Sequence, residues 1–377
     1  MNIVRERLRN QRLVGAEPAT AHEVVRWLGA VQAQDYGAAK WAIAQRAGEL
    51  VSTDLDKELA AGTILRTHVL RPTWHFVTPQ DIRWMLALTA PRMRATMEYG
   101  NRQSALTESV IERAIDVIVR ALTASPRLMR SEIADRLREA GIGTGDPLGL
   151  GRVLHRAEVD GVICSGGLRG KQQTYALLDE LVPRVQTLDR EAALSALASR
   201  YFASHGPATM KDFVWWSGLP AADARAAMHA SEPALEQIMV GECRYWRSER
   251  QQGDSPRSRC DAHLLTNFDE YTVGYTDRRS LLEEAHQNRG APSALLSNTV
   301  VLNGLVLGTW KRILNKSAVR VTLNLFRPLT KGERAAVEVA ADRYGRFLNL
   351  AVDVDHGSAS ECGDPMPAPV QRQGGPG

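Results

Sequence analysis

The sequence predicts an α+β fold, built from tandem winged helix-turn-helix units and closed by a C-terminal β-rich portion. Three observations predict it. Apolar stripes at helical spacing come in groups of three, and each group gives way to a β-rich hairpin. This succession recurs loosely about every 80 residues. From Asp261 onward strands dominate instead. The expected boundaries are 1–105 for the first unit, 106–185 for the second, 186–255 for the third, 256–354 for the C-terminal strands and helix, and 355–377 for a tail.

In the first unit, Thr20 and Glu23 have the spacing of a capping box, so a helix starts near Ala21. Val24, Val25, Leu28 and Val31 form its apolar stripe. Gln32-Ala33-Gln34-Asp35-Tyr36 follows. Residues two apart diverge on a helix but share a side in an extended segment. Gln32 and Gln34 therefore act together only if the helix ends around them, as Gly37 would allow; a solvated helix end is the alternative. A short segment from Lys40 to Gln45 and a helix from Asp54 to Ala60 come next. Thr63 to Val77 is β-rich and divided in two by Pro72.

The second unit reads more regularly. Thr107 to Thr123 is amphipathic, with Val110, Ile111, Ala114, Ile115, Ile118 and Leu122 on one face. Leu128 to Ala140 is a second helix. A glycine-rich link, 141–149, leads to a third, Leu150 to Asp160, which carries Arg152, His155 and Arg156. A hairpin follows: Val162 to Ser165, a tip from Gly166 to Lys171, and Gln173 to Leu177. The third unit comprises Arg190 to Ser204, Thr209 to Trp216, Ala221 to Ala230 and two short strands within Leu235 to Trp246.

In the C-terminal portion, strands are expected at Thr299 to Leu302, Leu305 to Arg312 and Ala318 to Leu325, with Asn303-Gly304 as the first turn. A helix capped by Thr330 and Glu333 runs to about Asn349. Beyond Asp355 the Gly/Pro/Ser-rich stretch has little apolar surface to bury and predicts disorder.

Composition narrows the function classes. With 44% apolar and 24% charged residues the chain is an ordinary soluble globular protein. No apolar run approaches about 18 residues, so no membrane helix is expected, and Met1 to Arg7 lacks the apolar core of a signal peptide. Cys164, Cys243, Cys260 and Cys362 lie far apart with no CxxC pair, which points to a reducing cytoplasm and away from zinc. Net charge is +4, yet only seven of 47 basic residues are lysine and forty are arginine, whose fork suits phosphate. A coding bias toward arginine gives the same count.

Enzymatic signatures of the common kinds are missing. The glycines of 141–151 sit between helices, not after a strand, so a dinucleotide fingerprint does not fit. Gly170-Lys171 lacks the remainder of a P-loop, with Ser165 where glycine is needed and Gln172 where Ser or Thr is needed. No HExxH and no nucleophile elbow occur. What remains is polar clusters, each with a plainer alternative. Arg169 and Lys171 at the hairpin tip suit a phosphate, or a solvated turn. Asp269 and Glu270 suit acid/base work, or a structural turn. His68, Arg71, Thr73, Trp74 and His75 are denser than one strand pair needs, or are a packed hairpin with its hydrogen bonds satisfied.

Taken together, the chain resembles the AlkZ-like family of bacterial DNA glycosylases over roughly residues 3 to 352. The resemblance rests on Gln32-Ala33-Gln34 with Asp35-Tyr36, on Thr67 to His75, and on Phe268-Asp269-Glu270-Tyr271 with Gly274-Tyr275 and Asp277-Arg278. The strand Gly308-Thr309-Trp310-Lys311-Arg312 also fits. The resemblance implies a C-shaped molecule whose inner basic face takes duplex DNA, and excision of N7-alkylated purines, with cross-link unhooking in some members. It places the catalytic Gln-x-Gln motif on Gln32 and Gln34, the form linked to self-resistance against DNA-alkylating natural products. A sister group carries Asp at the second position, and Asp35 here stands one residue beyond it.

The expectation is thus a monofunctional, monomeric, cytoplasmic DNA glycosylase. It would act on N7-alkylguanine in double-stranded DNA, without membrane, metal or cofactor. Gln32 and Gln34 would be catalytic, and Asp35, Tyr36, His68, Arg71, Thr73, Trp74, His75, Arg152, Arg156, Arg169 and Lys171 would bind DNA or line the pocket. A non-catalytic winged-helix regulator is the alternative. It would keep Arg152, Arg156, Arg169 and Lys171 and have no use for the glutamines.

Overall fold

The computed structural model describes residues 2–15, 19–101, 106–144, 147–184, 188–249, 260–283 and 294–356. Of the expected tail only Asp355 and His356 fall among them; 357–377, with Cys362, lie outside.

After α1 (Ile3–Asn10), the first unit consists of α2 (Ala21–Leu28), β1 (Val31–Gln32), α3 (Tyr36–Ala47), α4 (Ser52–Ala61), β2 (Leu65–His68) and β3 (Trp74–Val77). The strands pair antiparallel in the order β1-β3-β2. The capping box of Thr20 and Glu23 is present and starts α2. The helix stops earlier than the sequence suggests, because Gly29 turns the chain at φ +82°, a conformation that side chains rarely adopt. Val31 consequently belongs to a strand and not to the helical stripe, and the glutamines lie beyond the helix. Gly37 falls in the first turn of α3.

α5 (Pro79–Asn101) occupies a stretch to which the sequence reading assigned nothing. Pro79 opens it and Pro91 lies inside it. An interior proline removes a donor and interrupts the pattern from which helices are read.

The second unit comprises α6 (Glu108–Ala124), β4 (Leu128–Met129), α7 (Arg130–Glu139), α8 (Pro147–Val159), β5 (Ile163–Arg169) and β6 (Gln172–Leu177), in sheet order β4-β6-β5. Leu128 and Met129, expected in a helix, are its short first strand. A helical turn, α9 (Leu178–Leu181), leads on to the third unit. This has α10 (Arg190–His205), α11 (Met210–Ser217), α12 (Ala221–Ser231), β7 (Leu235–Val240) and β8 (Cys243–Ser248). Here the first strand shrinks to one bridge, Ala208 to Trp246 of β8. All three units thus run helix, strand, helix, helix, hairpin, and in each the first strand pairs with the last.

The C-terminal portion holds β9 (Ala262–Leu265), the helical turn α13 (Glu270–Val273), β10 (Thr299–Leu302), β11 (Leu305–Leu314), β12 (Ala318–Leu325), α14 (Lys331–Leu348) and β13 (Ala351–Asp355). Its sheet runs β13-β12-β11-β10-β9, with β12 and β13 parallel across α14. The short edge strands β9 and β13 were not anticipated.

The apolar clusters explain where the site falls. The second unit encloses a cluster of its own around Ile118, Ile133, Val153 and Ile163. The first unit shares its clusters instead. Val24, Trp41 and Phe76 pack with Trp310, Tyr344 and Phe347 of the C-terminal portion. Ala30, Leu65 and Leu70 pack with Tyr201, Phe213 and Trp216 of the third unit. Polar groups from three portions of the chain therefore converge on the first unit's sheet.

Candidate active site

Gln32 ends β1 opposite His75, and Ala33 continues the extended run by donating its N–H to the Trp74 carbonyl at 2.7 Å. Ala33 is buried between a half-buried Gln32 and an exposed Gln34. That alternation belongs to an extended segment with both amides on its open side. The Gln34 amide makes no hydrogen bond among the described residues, and its donors and acceptor are available.

Gln32 is held at both its ends. Its backbone N–H donates to Glu270 Oε1 at 2.8 Å, across 238 residues of chain. Its side-chain oxygen accepts from Arg71 Nη2 at 2.9 Å. A guanidinium only donates, so the contact fixes which amide atom is oxygen. Arg71 reaches it from a tight loop: Leu70 has φ +63°, the Arg71 N–H returns to Val69 O and the Thr73 N–H to Arg71 O, both at 2.7 Å. The turn centred on Leu70, with its positive φ, is the strained form and persists where the surroundings enforce it, whereas the one centred on Pro72 is the common form. Gly218 at the end of α11 supplies part of that enforcement. It sits at φ +67°, and a Cβ there would meet Leu70 O at 2.3 Å.

Glu270 is fully buried at the junction of these portions. Its Oε2 accepts from Trp216 Nε1 at 3.0 Å and lies 3.3 Å from His205 Nε2. Burial pushes the carboxyl upward, but the His205 hydrogen bond, the Arg71 charge and the Gln32 N–H outweigh it and bring it down to about 2. Burial pushes His205 below the ordinary imidazole range. An ionised carboxylate supplied with donors and a half-buried guanidinium therefore lie on either side of Gln32.

The cluster expected at 68–75 is divided by the two-residue period of its strands. Thr67, His75 and Gln32 lie in one row across the sheet, on one face. On this face hydrogen-bonding capacity is left over: Thr67 Oγ1, Thr73 Oγ1 and His75 Nε2 are buried without a partner. His75 Nδ1 faces Thr73 O at 2.9 Å and so carries its proton. Burial, with Arg71 nearby, pushes His75 down to about 3, leaving a neutral ring.

His68 and Trp74 point to the opposite face, where they form a latch onto α8. Both bond to the buried Glu158 carboxylate, Trp74 Nε1 at 3.3 Å. The His68 ring packs 4.4 Å from Trp74 and 4.0 Å from His155, and Arg66 lies over Trp74 at 4.4 Å. The structure thus brings Gln32, Gln34, Arg71, Thr73 and His75 together and sets His68 and Trp74 apart.

Asp35 caps α3 by accepting the Ala38 N–H at 2.9 Å, and its other oxygen lies 4.0 Å from Arg312 of β11. Beyond Arg312 that hairpin projects exposed Ile313 and Leu314. Tyr36 donates its hydroxyl to Asp56 at 2.8 Å, away from the glutamines. Asp269, weighed as an acid/base group, is structural: it caps α13 and pairs with Arg46, both side chains fully buried. All five Arg46 donors are used, on Asp269, Gln11 and Ala42.

Among the basic candidates, Arg156 is engaged by Glu108 and Asp160 at 2.6–3.0 Å. Arg169 Nη1 donates to both Glu132 oxygens, at 2.8 and 3.0 Å, and Nη2 donates to Arg127 O. Lys171 is exposed, and Arg152 is half-exposed. The tip is shorter than the sequence suggests. Gly166 and Gly167 are buried, Gly167 against Ala60 of α4, so only the residues around Gly170 project. Among the described residues no group of three His, Cys, Asp or Glu could hold a metal, and no helix is long and apolar enough to cross a membrane.

Sequence reasoning missed His205, Trp216, Glu158 and Arg46, and weighed Glu270 as an acid or base or as part of a structural turn, not as the group that holds Gln32. Each acts through a partner far away in the chain, so no local spacing marks it.

Three winged-helix units thus stand in tandem, with Gln32 of the first held between Arg71 and the buried Glu270. The chain belongs to the AlkZ-like DNA glycosylase family, whose model matches residues 25–347, and it is a DNA glycosylase. It is similar to the interstrand DNA cross-link repair glycosylase of Streptomyces sahachiroi, at 24% identity over 353 residues, covering 89% of this chain and 94% of that protein. The solved structure of the Streptomyces sahachiroi DNA glycosylase AlkZ has the same fold, with a TM-score of 0.78 at 22% identity, covering 94% of this chain and 98% of that one.

Proposed function

We propose that this glycosylase hydrolyses the N-glycosidic bond of N7-alkylated guanine in duplex DNA, with Gln32 and Gln34 holding the attacking water. Alkylation at N7 leaves the base cationic and a good leaving group, so no acid is needed. The water oxygen bonds to C1′ while the C1′–N9 bond breaks. The bonding electrons pass to the purine and cancel its charge, and a proton leaves the water. The products are the neutral alkylguanine and an abasic sugar.

The observation that carries this reading is the double hold on Gln32. Arg71 takes one lone pair of its oxygen and Glu270 its backbone N–H, which fixes the amide while leaving Gln34 free beside it. The Gln34 oxygen and the remaining Gln32 lone pair accept the water protons, an orientation set before reaction. The Glu270 carboxylate offsets Arg71, so the site can bear a developing oxocarbenium ion. Purified protein with duplex carrying one N7-methylguanine, followed by alkaline cleavage, should give a strand break at that position. Intact strands with enzyme in excess would remove the reading.

A further inference from the structure

α11 places two consecutive tryptophans on opposite sides of the site. Trp216 is fully buried and touches Glu270, while Trp215 is 45% exposed. A large aromatic on a surface has two ordinary roles: its polar edge makes a hydrogen bond, or its flat face meets a partner. The edge of Trp215 is already used, since Nε1 donates to Val273 O at 2.9 Å. Val273 belongs to α13, the same short turn that carries Glu270. One rigid turn therefore fixes both Gln32 and the Trp215 ring.

Two guanidinium groups flank that ring. Arg71, the residue that holds Gln32, lies 6.0 Å from its centroid, and Arg278 lies 5.6 Å away. Each has a carboxylate in its surroundings, Glu270 for Arg71 and Asp212 for Arg278, and the two guanidinium groups also act on each other. What Trp215 offers to solvent is a pinned aromatic surface one contact from Gln32, among charges of both signs.

We propose that Trp215 is a binding subsite for the flat cationic ring of the alkylated purine, which stacks on the indole as Gln32 and Gln34 address its sugar. This rests on the reading that the substrate is an N7-alkylpurine. A cationic ring gains both stacking contact and attraction to the negative face of the indole, whereas neutral guanine gains only the first. Trp215 thereby becomes a specificity determinant that needs no hydrogen bond to the base.

The test measures binding, so it does not depend on turnover. Two fluorescent duplexes are compared, one with undamaged guanine and one with 7-methylguanine on a 2′-fluoroarabino sugar that resists hydrolysis. Trp215→Ala should weaken binding of the lesion duplex by roughly 5- to 150-fold, the range of one stacked base. Binding of the undamaged duplex should change by less than about twofold, and Trp215→Phe should restore most of the lesion affinity. Equal losses on both duplexes would make Trp215 a general DNA contact and overturn the proposal, as would unchanged lesion binding in Trp215→Ala. A wild type without lesion preference also overturns it. The alkaline-cleavage assay then separates the two ideas, because excision that persists leaves the N7-alkylguanine reading standing without this subsite.

Discussion

The first and second winged-helix units present three strands in the same order, β1-β3-β2 and β4-β6-β5, and fill them differently. Gln32 pairs with His75 in the first, and at the matching place Met129 pairs with Thr174 in the second. Thr174 spends its hydroxyl on Gly167 O at 2.9 Å, inside a unit with its own apolar cluster. Thr67, Thr73 and His75 of the first unit leave polar atoms unpartnered, and its apolar residues pack with two other portions of the chain. One topology thus yields a module with its own apolar cluster and a unit whose sheet is shared with the rest of the chain. The difference is a row with unpartnered polar atoms in place of one whose hydroxyl is satisfied within the unit, and the former is held from outside by Glu270 and braced by Arg71. Unpartnered buried groups cost stability, and three of them, Thr67, Thr73 and His75, sit close together beside Gln32.

The largest expected effect breaks the polar row. Gln32→Ala and Gln34→Ala should each slow single-turnover excision of N7-methylguanine by roughly 10²-fold or more, about 3 kcal/mol of transition-state stabilisation. DNA affinity should barely move, since phosphate contacts dominate it. Because the amides act as one unit, the double mutant should be scarcely slower than either single one. Gln34→Asp should keep part of the activity by offering a carboxylate acceptor. Full activity in both alanine variants would return the row to a structural role.

How far this was legible in the sequence depends on the range over which each feature is encoded. The capping boxes of Thr20 with Glu23 and Thr330 with Glu333 are local, spaced three apart, and could be read directly. So could the recurring helices and hairpins, because each carries its own period. From the sequence the helix end is placed near Gly37, and only the packed structure shows that Gly29 takes the positive φ. The dense run from His68 to His75 looked like one cluster because composition ignores that neighbouring strand residues face opposite ways. The hold on Gln32 was invisible: Glu270 and Trp216 lie far away in sequence, and a buried carboxylate reads the same in one dimension as an exposed one.

A middle-sized effect contrasts histidines of the two units. His75 and His155 are both pushed to about 3, burial being the leading cause. In the unfolded chain each titrates near its ordinary value of about 6.5. Their contribution is therefore complete above about pH 6.5 and is lost as pH falls, since the unfolded state takes up protons that the folded state refuses. Between pH 6.5 and 5 each would account for about 2 kcal/mol of lost stability. His75→Phe and His155→Phe should each flatten the stability–pH slope, measured by denaturant melts at the two pH values. Only His75→Phe should also slow excision, by about tenfold, as it lies beside Gln32. An equal effect of both on excision would erase the contrast between a working face and a latching one.

The smallest effect tests what the second unit contributes at its tip. Arg169 there is bound to Glu132 in an exposed pair, with side chains 48% and 36% accessible. Such pairs are worth about 0–1 kcal/mol, so exchanging the carboxylate for a DNA phosphate costs little. Lys171 is exposed beside it and makes no ion pair among the described residues. Arg156, held by Glu108 and Asp160 with a less exposed side chain, is a poorer phosphate ligand by the same argument. The variant Arg169→Ala/Lys171→Ala should weaken binding of damaged and undamaged duplexes alike and lower the slope of log affinity against log salt by roughly one to two units. Excision with enzyme saturating should stay within about twofold of wild type, because the tip contacts backbone and not the reacting sugar. A salt slope equal to wild type would take this hairpin off the DNA. It would leave the second unit acting only through Glu158 and His155, as the support against which the first unit's sheet is set.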